Sequence, residues 1–366
     1  MFSVQENKTE SLFFRMFPPP EYLAMPSVGV DISDHSVRFV EFKQKNGVKM
    51  LGRFGRYVIP DGTLSYGDIK DRNKMVQILT GMSKDRGISY VRCSLPEEKA
   101  YVFKTDVPIL NPDETMDNIA FQIEENVPLK VSDVIFDYVF LPPSEENVSS
   151  LEVVVSVFPL VVIEGYLDIY QSAGMTPLSF EMEADTLARS LIPKGDMDCY
   201  MIVDFGQQRS GLSVVERGVV QFASTVDVGG NILTEALQKQ LGVSFEEAEK
   251  IKREGVLVGH GGNKEFFSTL INSISSLSEE INKHYIYWHT HVDKKGRRSA
   301  PIKKIILCGG DSNLFGLPEH LSILLKTKVE LGNVWSNAFP LGEYIPEIHF
   351  SESLSYTAAI GLGLRG

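Results

Sequence analysis

An acidic hairpin pattern occurs twice in this 366-residue chain, and the repeat limits the fold more than any other feature. In each copy an apolar run carries an aspartate, Asp31 in the first and Asp204 in the second, and then enters a short polar turn. A second apolar run follows and ends in a Val-Glu pair, at Glu41 and at Glu216. Alternation of apolar and polar residues on both sides of a turn predicts a β-hairpin. Because each hairpin begins one half of the chain, we expect two related α/β domains facing each other across a cleft.

The two turns have the chemistry of a magnesium–nucleotide site. Backbone N–H groups of tight turns bind phosphate oxygens, and turns from two sides can clamp a phosphate chain. Gly206 provides the bare backbone that a close approach requires in the second turn. An aspartate at a strand end suits Mg²⁺, which keeps several waters and takes only one or two carboxylates. We therefore predict that Asp31 and Asp204 hold Mg²⁺ beside a bound nucleotide.

Charge and composition argue against several other classes of protein. The 36 basic and 48 acidic residues give a formal net charge of −12, which disfavours a nucleic-acid partner because such binding needs clustered Lys and Arg. Cys93, Cys199 and Cys308 are far apart and fit no metal-ligand spacing, so we expect free thiols in a reducing compartment. No run reaches the roughly 18 apolar residues of a membrane span, and the N-terminus lacks the pattern of a signal peptide. We expect a cytoplasmic protein without a transmembrane segment.

Hydrophobic periodicity and capping residues predict the other elements. The predicted helices cover residues 72–86, 112–127, 160–172, 181–191, 245–252 and 266–288, and the further strands cover residues 135–141, 151–158 and 305–307. Residues 1–26 form an arm with a proline triplet, which either packs along its own domain or docks on a partner or membrane. We interpret the basic loop 294–298 as a solvated turn. His289 and His291 cannot share a helical face, so we predict no metal site there.

The two hairpins resemble the phosphate loops of the actin-like ATPase superfamily, and three further segments match its pattern in the expected order. Glu183 resembles the acid of the connecting helix that orients the attacking water. The pair Gly229-Gly230, followed by Glu249 and Lys252, resembles the segment that holds the ribose. Residues 306–310, Ile-Leu-Cys-Gly-Gly, resemble the adenosine motif, in which two glycines let the base lie on the backbone.

Within that superfamily the chain resembles the PilM family of type IV pilus assembly proteins over about residues 27–366. Residues 31–41 are similar to the first phosphate loop of the family, and residues 125–129 resemble part of its inserted subdomain, as does Asp137-Tyr138. Residues 355–366 are similar to the family's ending. Proteins like FtsA continue into a membrane helix, and a chaperone would need a substrate domain after the glycine pair. Because we expect neither feature here, the resemblance favours the PilM family over these two classes.

Three loop residues depart from the family pattern. Ser33 stands where glycine is usual, so a side chain lies where the backbone should be bare, although its hydroxyl can donate to phosphate. Arg38 replaces the usual lysine, which keeps the charge but changes the shape of the donor. Ser210 replaces threonine and keeps a hydroxyl.

The resemblance implies an actin-like ATPase fold, with a small α+β subdomain inserted in the first of two facing domains around a nucleotide cleft. It implies a first domain of residues 27–95, 166–199 and 335–366, an inserted subdomain of residues 96–165, and a second domain of residues 200–334. It also implies ATP and Mg²⁺ as ligands, Asp31 and Asp204 as metal-binding residues, and Glu183 and Asp204 as catalytic residues of an ATPase that is slow at most. The implied nucleotide-binding residues are Asp31, Ser33, Asp34, His35, Ser36, Arg38, Gly206, Gln207, Gln208, Ser210, Gly229, Gly230, Glu249, Lys252, Gly309, Gly310 and Asp311.

The implied function is that of an ATP-binding scaffold in the inner-membrane platform of a type IV pilus. Such a scaffold binds the cytoplasmic N-terminal peptide of a PilN-like bitopic membrane protein, and would therefore lie at the inner face of the membrane through its partners. The pilus motor ATPase and further copies of the chain are additional candidate partners. Two alternatives stay open: a small-molecule kinase of the same superfamily, and a structural relative that works without nucleotide.

Overall fold

The structure, a computed structural model, describes residues 27–45, 48–108, 112–141, 150–253, 264–292, 296–314, 316–340, 342 and 344–365. The N-terminal arm of residues 1–26 lies outside these ranges, so the two interpretations offered for it remain predictions. Residues 294 and 295 of the basic loop also lie outside them.

Fifteen strands are present in the described ranges. They are β1 (Val28–Ser33), β2 (Ser36–Lys45), β3 (Val48–Val58), β4 (Leu64–Ser65), β5 (Asp68–Ile69), β6 (Tyr90–Leu95), β7 (Tyr101–Pro108), β8 (Val134–Phe140), β9 (Ser150–Pro159), β10 (Thr176–Met182), β11 (Cys199–Phe205), β12 (Ser210–Glu216), β13 (Val219–Val226), β14 (Lys304–Cys308) and β15 (Val329–Leu331).

Ten α-helices lie between and after these strands, within the same described part of the chain. They are α1 (Arg72–Arg86), α2 (Pro112–Asn126), α3 (Leu160–Ser172), α4 (Glu183–Leu191), α5 (Asn231–Leu241), α6 (Phe245–Arg253), α7 (Lys264–Thr290), α8 (Leu317–Leu325), α9 (Phe350–Ser353) and α10 (Thr357–Gly363). Among them, none is both long enough and apolar enough to cross a membrane.

Two five-stranded sheets repeat the same architecture. The first has the order β3-β2-β1-β6-β10 and the second the order β13-β12-β11-β14-β15. In both, three strands form an antiparallel meander and two strands add in parallel beside its first strand. The two predicted hairpins are therefore equivalent pairs, β1–β2 and β11–β12, in two copies of one α/β unit.

A smaller α+β unit is inserted in the chain between β6 and α3. Its sheet has the order β7-β9-β8 and is antiparallel throughout. Apolar residues of α2 pack on this sheet and close a separate small core, which includes Ile119, Ile123, Val153 and Val155. The sequence predicted α2, β8 and β9 as separate elements, and the family resemblance implied that they belong to an inserted subdomain.

One predicted boundary is wrong, and several elements were not predicted. The helix expected over residues 181–191 begins only at Glu183, because Thr176–Met182 is strand β10 at the edge of the first sheet. This strand was not predicted because it contains Pro177, and proline is tolerated in a sheet only at edge strands and bulges. The meander strands β3 and β13 were also absent from the sequence prediction.

The last helix fixes the position of the first hairpin. Helix α10 lies against β1 and against α4 so closely that a side chain at Gly361 would place its Cβ 1.9 Å from the Thr186 carbonyl oxygen. A Cβ on Gly29 would similarly lie 2.3 Å from the Ala359 carbonyl oxygen. These close approaches hold Asp31, at the end of β1, and Glu183, at the start of α4, near the same point.

Candidate nucleotide-binding cleft

A cavity of about 630 Å³ lies between the two repeated sheets and is lined by both hairpin turns. The first turn contributes Ser33, Asp34, His35 and Ser36. The second contributes Gly206, Gln207 and Gln208. The turns therefore face one shared space from opposite sides, as the repeat required.

The second turn is tightly wound and contacts the start of α5. Gly206 donates its N–H to the Arg209 carbonyl oxygen at 3.1 Å, and its own carbonyl accepts from the Gly230 N–H at 2.9 Å. A Cβ on Gly229 would lie 2.3 Å from the carbonyl carbon of Gln208. Ser210 is fully buried and donates to the Val228 carbonyl at 2.5 Å.

Four carboxylates converge at the base of the cavity, at Asp31, Glu97, Glu183 and Asp204. Asp31 is buried and accepts a hydrogen bond from the Ser94 hydroxyl at 2.8 Å. Burial and the nearby Asp31 raise the pKa of Asp204 to about 6. Burial, with Asp31 and Asp204 adding to it, also raises the pKa of Glu183 well above its usual value. The positive charge of Arg38 offsets these effects on Asp31 and Asp204 only in part, so a further cation would stabilise the cluster.

The donor set fits hydrated Mg²⁺. All four groups are hard oxygen ligands, which is the preference of this ion. No three His, Cys, Asp or Glu side chains in the described part of the chain are close enough together to hold a metal ion directly. Mg²⁺ commonly keeps several waters and completes its shell with phosphate oxygens. The carboxylates are thus suited to contacts through water, beside the phosphates of a nucleotide.

A buried ionic network forms the opposite wall. The Lys252 ammonium is 2.8 Å from Glu249 Oε2 and 2.7 Å from Asp311 Oδ1, and it also donates to the Gly230 carbonyl at 3.2 Å. Burial would raise the pKa of Glu249, but hydrogen bonds from Lys252 and from Thr234 lower it. Since the Lys252 side chain is only 2% exposed, this ion pair lies inside the protein and not on the surface of α6.

The glycine pair after β14 brings backbone close to the carboxylates. Gly309 has φ 89° and donates its N–H to the Leu354 carbonyl oxygen at 3.0 Å. A Cβ at this position would lie only 2.2 Å from Asp204 Oδ1. Gly310 and Asp311 follow directly and line the same cavity.

Most of the predicted site residues line this one cavity. They are Asp31, Ser33, Asp34, His35, Ser36, Arg38, Glu183, Asp204, Gly206, Gln207, Gln208, Glu249, Lys252, Gly309, Gly310 and Asp311. Three predicted residues, Ser210, Gly229 and Gly230, do not line it. Their contacts are with the neighbouring backbone or with Asp311, so in this structure they support the walls of the cleft.

Sequence reasoning missed the residues that tie the walls together. Arg209, in the second turn, forms ion pairs with Asp34 of the first turn and with Glu98, the latter at 2.6 Å. Its guanidinium also lies 4.5 Å from the centre of the Tyr66 ring. The Glu97-Glu98 pair directly after the buried strand β6 was the available signal, because acids at a strand end facing a cleft are candidate functional groups.

Two other groups have structural roles. His289 uses both ring nitrogens within the fold, one with the Tyr285 carbonyl at 2.8 Å and the other accepting from the Ile302 N–H at 3.2 Å. Arg297 forms an ion pair with Glu152 at 2.6 Å and another with Asp106. The interpretation of the basic loop as a solvated turn is therefore wrong for Arg297, which links it to the three-stranded sheet.

The duplicated sheets and the cleft between them define this molecule as a protein of the actin-like α/β fold. The sequence matches the family model described as type IV pilus assembly protein PilM over residues 29–366. The chain therefore belongs to the PilM family.

Three solved structures show the same fold at low sequence identity. A PilM–PilN type IV pilus biogenesis complex is 18% identical with a TM-score of 0.75, covering 93% of this chain and 98% of that chain. The ethanolamine utilization protein EutJ from Carboxydothermus hydrogenoformans is 16% identical with a TM-score of 0.56, covering 96% and 91% of the two chains. MreB5 of Spiroplasma citri, bound to ADP, is 11% identical with a TM-score of 0.51, covering 91% and 94%.

Proposed function

We propose that this protein is a nucleotide-dependent scaffold of the type IV pilus platform, with a magnesium nucleotide bound between its two repeated sheets. The observation that supports this most is the convergence of both acidic hairpins on one cavity. Membership of the PilM family supports the pilus context. The ADP in the similar MreB5 structure supports nucleotide as the ligand of the cleft.

Each wall of the cavity has a distinct task in this proposal. Backbone N–H groups of the two turns and the Arg38 guanidinium bind the phosphate chain. Asp31 and Asp204 hold the hydrated Mg²⁺, which when bound neutralises part of the phosphate charge. The Glu249–Lys252 network positions the ribose. Glu183, half-buried and hydrogen-bonded to Asp204, orients a water toward the phosphates if the nucleotide is hydrolysed.

The inserted unit supplies a surface for an extended peptide. Strand β8 pairs on one side with β9, and no strand among the described residues pairs with its other side. Its outward residues Ile135 and Val139 are exposed, as is Val161 at the start of α3. Asp137 lies between the two apolar side chains on the same face. An open strand edge with apolar neighbours suits a peptide that adds as a further strand, and we propose the N-terminal peptide of a PilN-like membrane protein as that ligand. Binding it would hold the protein at the inner face of the membrane.

Isothermal titration calorimetry with Mg·ATP tests the nucleotide site in the Asp204→Ala variant. A micromolar site corresponds to about −8 kcal/mol. Loss of the water-mediated cation contact and of one charged hydrogen bond should remove roughly 1.5–3 kcal/mol, a weakening of about 10- to 150-fold. Asp198→Ala is the matched control, since Asp198 lies outside the cavity and pairs with Lys303 at the surface. Unchanged affinity in Asp204→Ala would contradict the assignment.

Binding of the synthetic PilN-like peptide tests the docking surface. Val139→Lys places a charge on the apolar face of β8 and should weaken peptide binding at least tenfold in fluorescence anisotropy. Val58→Lys is the control, because Val58 is also exposed but lies on β3 of the first sheet. Equal peptide affinity of the two variants would rule out β8 as the docking strand.

A further inference from the structure

A fourth carboxylate, from Glu97, enters the base of the cleft from outside both hairpins. Glu97 lies in a short 3₁₀ turn, Glu97–Lys99, that follows β6 and leads into β7 of the inserted sheet. Its side chain is directed into the cavity, yet the residue is only 6% exposed. A carboxylate so buried usually has a partner for each oxygen, because an uncompensated buried charge is costly.

Only one of its oxygens has such a partner among the described residues. Glu97 accepts a hydrogen bond from the Ser224 backbone N–H. Glu97 follows β6 of the first sheet and Ser224 lies on β13 of the second, so this bond connects the two sheets. Its Oε1 atom is buried and has no hydrogen-bond partner. This oxygen can therefore accept a hydrogen bond from a donor that the described residues do not supply.

The position of Oε1 shows which donor fits. It lies 3.6 Å from the point that a Cβ would occupy on Gly211, and the Asp204 Cβ lies 3.7 Å from the same point. Gly211 faces Asp204 in the β11–β12 register, so Glu97 and Asp204 flank one small space. Of the described arginines that line the cavity near this space, Arg209 pairs with Glu98 and Asp34, and the charge of Arg38 acts on Asp31 and Asp204.

We propose that Glu97 is a further residue of the magnesium–nucleotide site, whose Oε1 accepts a hydrogen bond from a water of the hydrated Mg²⁺ held by Asp31 and Asp204. This inference rests on the proposed nucleotide function and extends it. Water is the donor of suitable size, because Mg²⁺ retains several waters and these are strongly polarised. A hydrated ion held by Asp31 and Asp204 would then be linked through water to the segment that leads into the inserted sheet, as well as to both hairpins.

The test compares nucleotide affinity with and without the ion. ATP binding is measured by calorimetry in MgCl₂ and in EDTA for the wild type, for Glu97→Gln and for Asp204→Asn. We expect Glu97→Gln to lose about tenfold or more of the tightening that Mg²⁺ gives, as for a charge-assisted hydrogen bond. Its affinity in EDTA should stay equal or improve, because one negative charge leaves the cavity. Glu319→Gln is the charge-matched control, since Glu319 is exposed on α8 and does not line the cavity.

A second readout uses Mg²⁺ alone, without nucleotide. MgCl₂ should raise the melting temperature of the wild type and of Glu319→Gln more than that of Glu97→Gln. If Asp204→Asn loses the Mg²⁺ dependence while Glu97→Gln keeps all of it, the role of Glu97 is refuted and the nucleotide site stands. If Glu97→Gln weakens ATP equally in EDTA and MgCl₂, the residue is structural and the inference fails. If the wild type binds no ATP in either buffer, the proposed function and this inference both fail.

Discussion

Replacing Gly309 by alanine should damage the fold and the nucleotide site together. The backbone at Gly309 has φ 89° and ψ 160°, a region that residues with a Cβ essentially never adopt. The new methyl group would lie 2.2 Å from Asp204 Oδ1 and 2.5 Å from the Phe205 carbonyl oxygen. Neither neighbour can retreat easily, because both belong to β11 in the centre of the second sheet.

Two costs add in this variant. The forbidden backbone conformation contributes about 1–3 kcal/mol, and the steric overlap contributes about 1–3 kcal/mol. We therefore expect a loss of roughly 2–6 kcal/mol in the free energy of unfolding. Gly316→Ala is the matched control: its φ of 79° is also positive, but no described atom lies within 4 Å of its Cβ position. That variant should lose only about 1–2 kcal/mol, the cost of the left-handed backbone.

Urea denaturation followed by tryptophan fluorescence compares the two variants. Trp335 lies in the core of the first sheet and Trp288 in that of the second, so both halves are observed. Calorimetry should also show weaker ATP binding in Gly309→Ala alone, because the displaced carboxylate is that of Asp204. Equal stability losses in the two alanine variants would refute the steric argument, and unchanged ATP affinity would refute the link to the site.

Three further predictions follow from other contacts. Arg209→Met leaves the carboxylates of Asp34 and Glu98 without their cation, and should lower the free energy of unfolding by roughly 3–5 kcal/mol in urea denaturation. Folding raises the pKa of Asp204 from an ordinary 3.8 to about 6, so the folded state binds the proton of this carboxyl group more tightly than the unfolded state does. The melting temperature of the nucleotide-free protein should therefore fall as the pH rises from about 4 to 6. It should fall less in the Asp204→Asn variant, which lacks this carboxyl group. Ile123→Ala opens a cavity in the small core of the inserted sheet at a cost of about 2–5 kcal/mol, and should reduce peptide binding in anisotropy while leaving calorimetric ATP affinity unchanged.

The sequence predicts the parts of this fold that have strong local patterns. Helix α1 is defined by apolar residues at helical spacing and a capping Asp71, and the hairpins β1–β2 and β11–β12 by alternation around polar turns. Strand β10 lacks such a pattern, because Pro177 near its start is typical of a loop and only the last two residues of the strand, Glu181 and Met182, are buried. The repeat predicted two related α/β units, but the order of the strands in each sheet was not predicted, because it depends on tertiary pairing.

The predicted residues that line one cavity belong to segments with a recognisable pattern, whereas residues brought in by tertiary contacts were missed; that any of them binds nucleotide stays a prediction. Asp31 and Asp204 stand at strand ends within the repeat. Glu97 belongs to no repeat, and nothing in the local sequence shows that its side chain turns toward β13. Gly229 has the opposite outcome: it was predicted to contact nucleotide, but its lack of a side chain serves the close approach of Gln208.

The ion pairs of Arg209 connect three parts of the molecule at the candidate nucleotide cleft: the second hairpin turn, the first hairpin turn and the segment that leads into the inserted sheet. The Arg209 guanidinium pairs with Asp34 of the first hairpin turn and with Glu98, which lies three residues before strand β7 of the inserted sheet. If nucleotide exchange shifts the second turn, either Asp34 and Glu98 move together with Arg209 or one of these two ion pairs breaks. Movement of the second turn would thus be passed on to the first hairpin or to the segment that leads into the inserted sheet, the unit proposed above to bind the peptide.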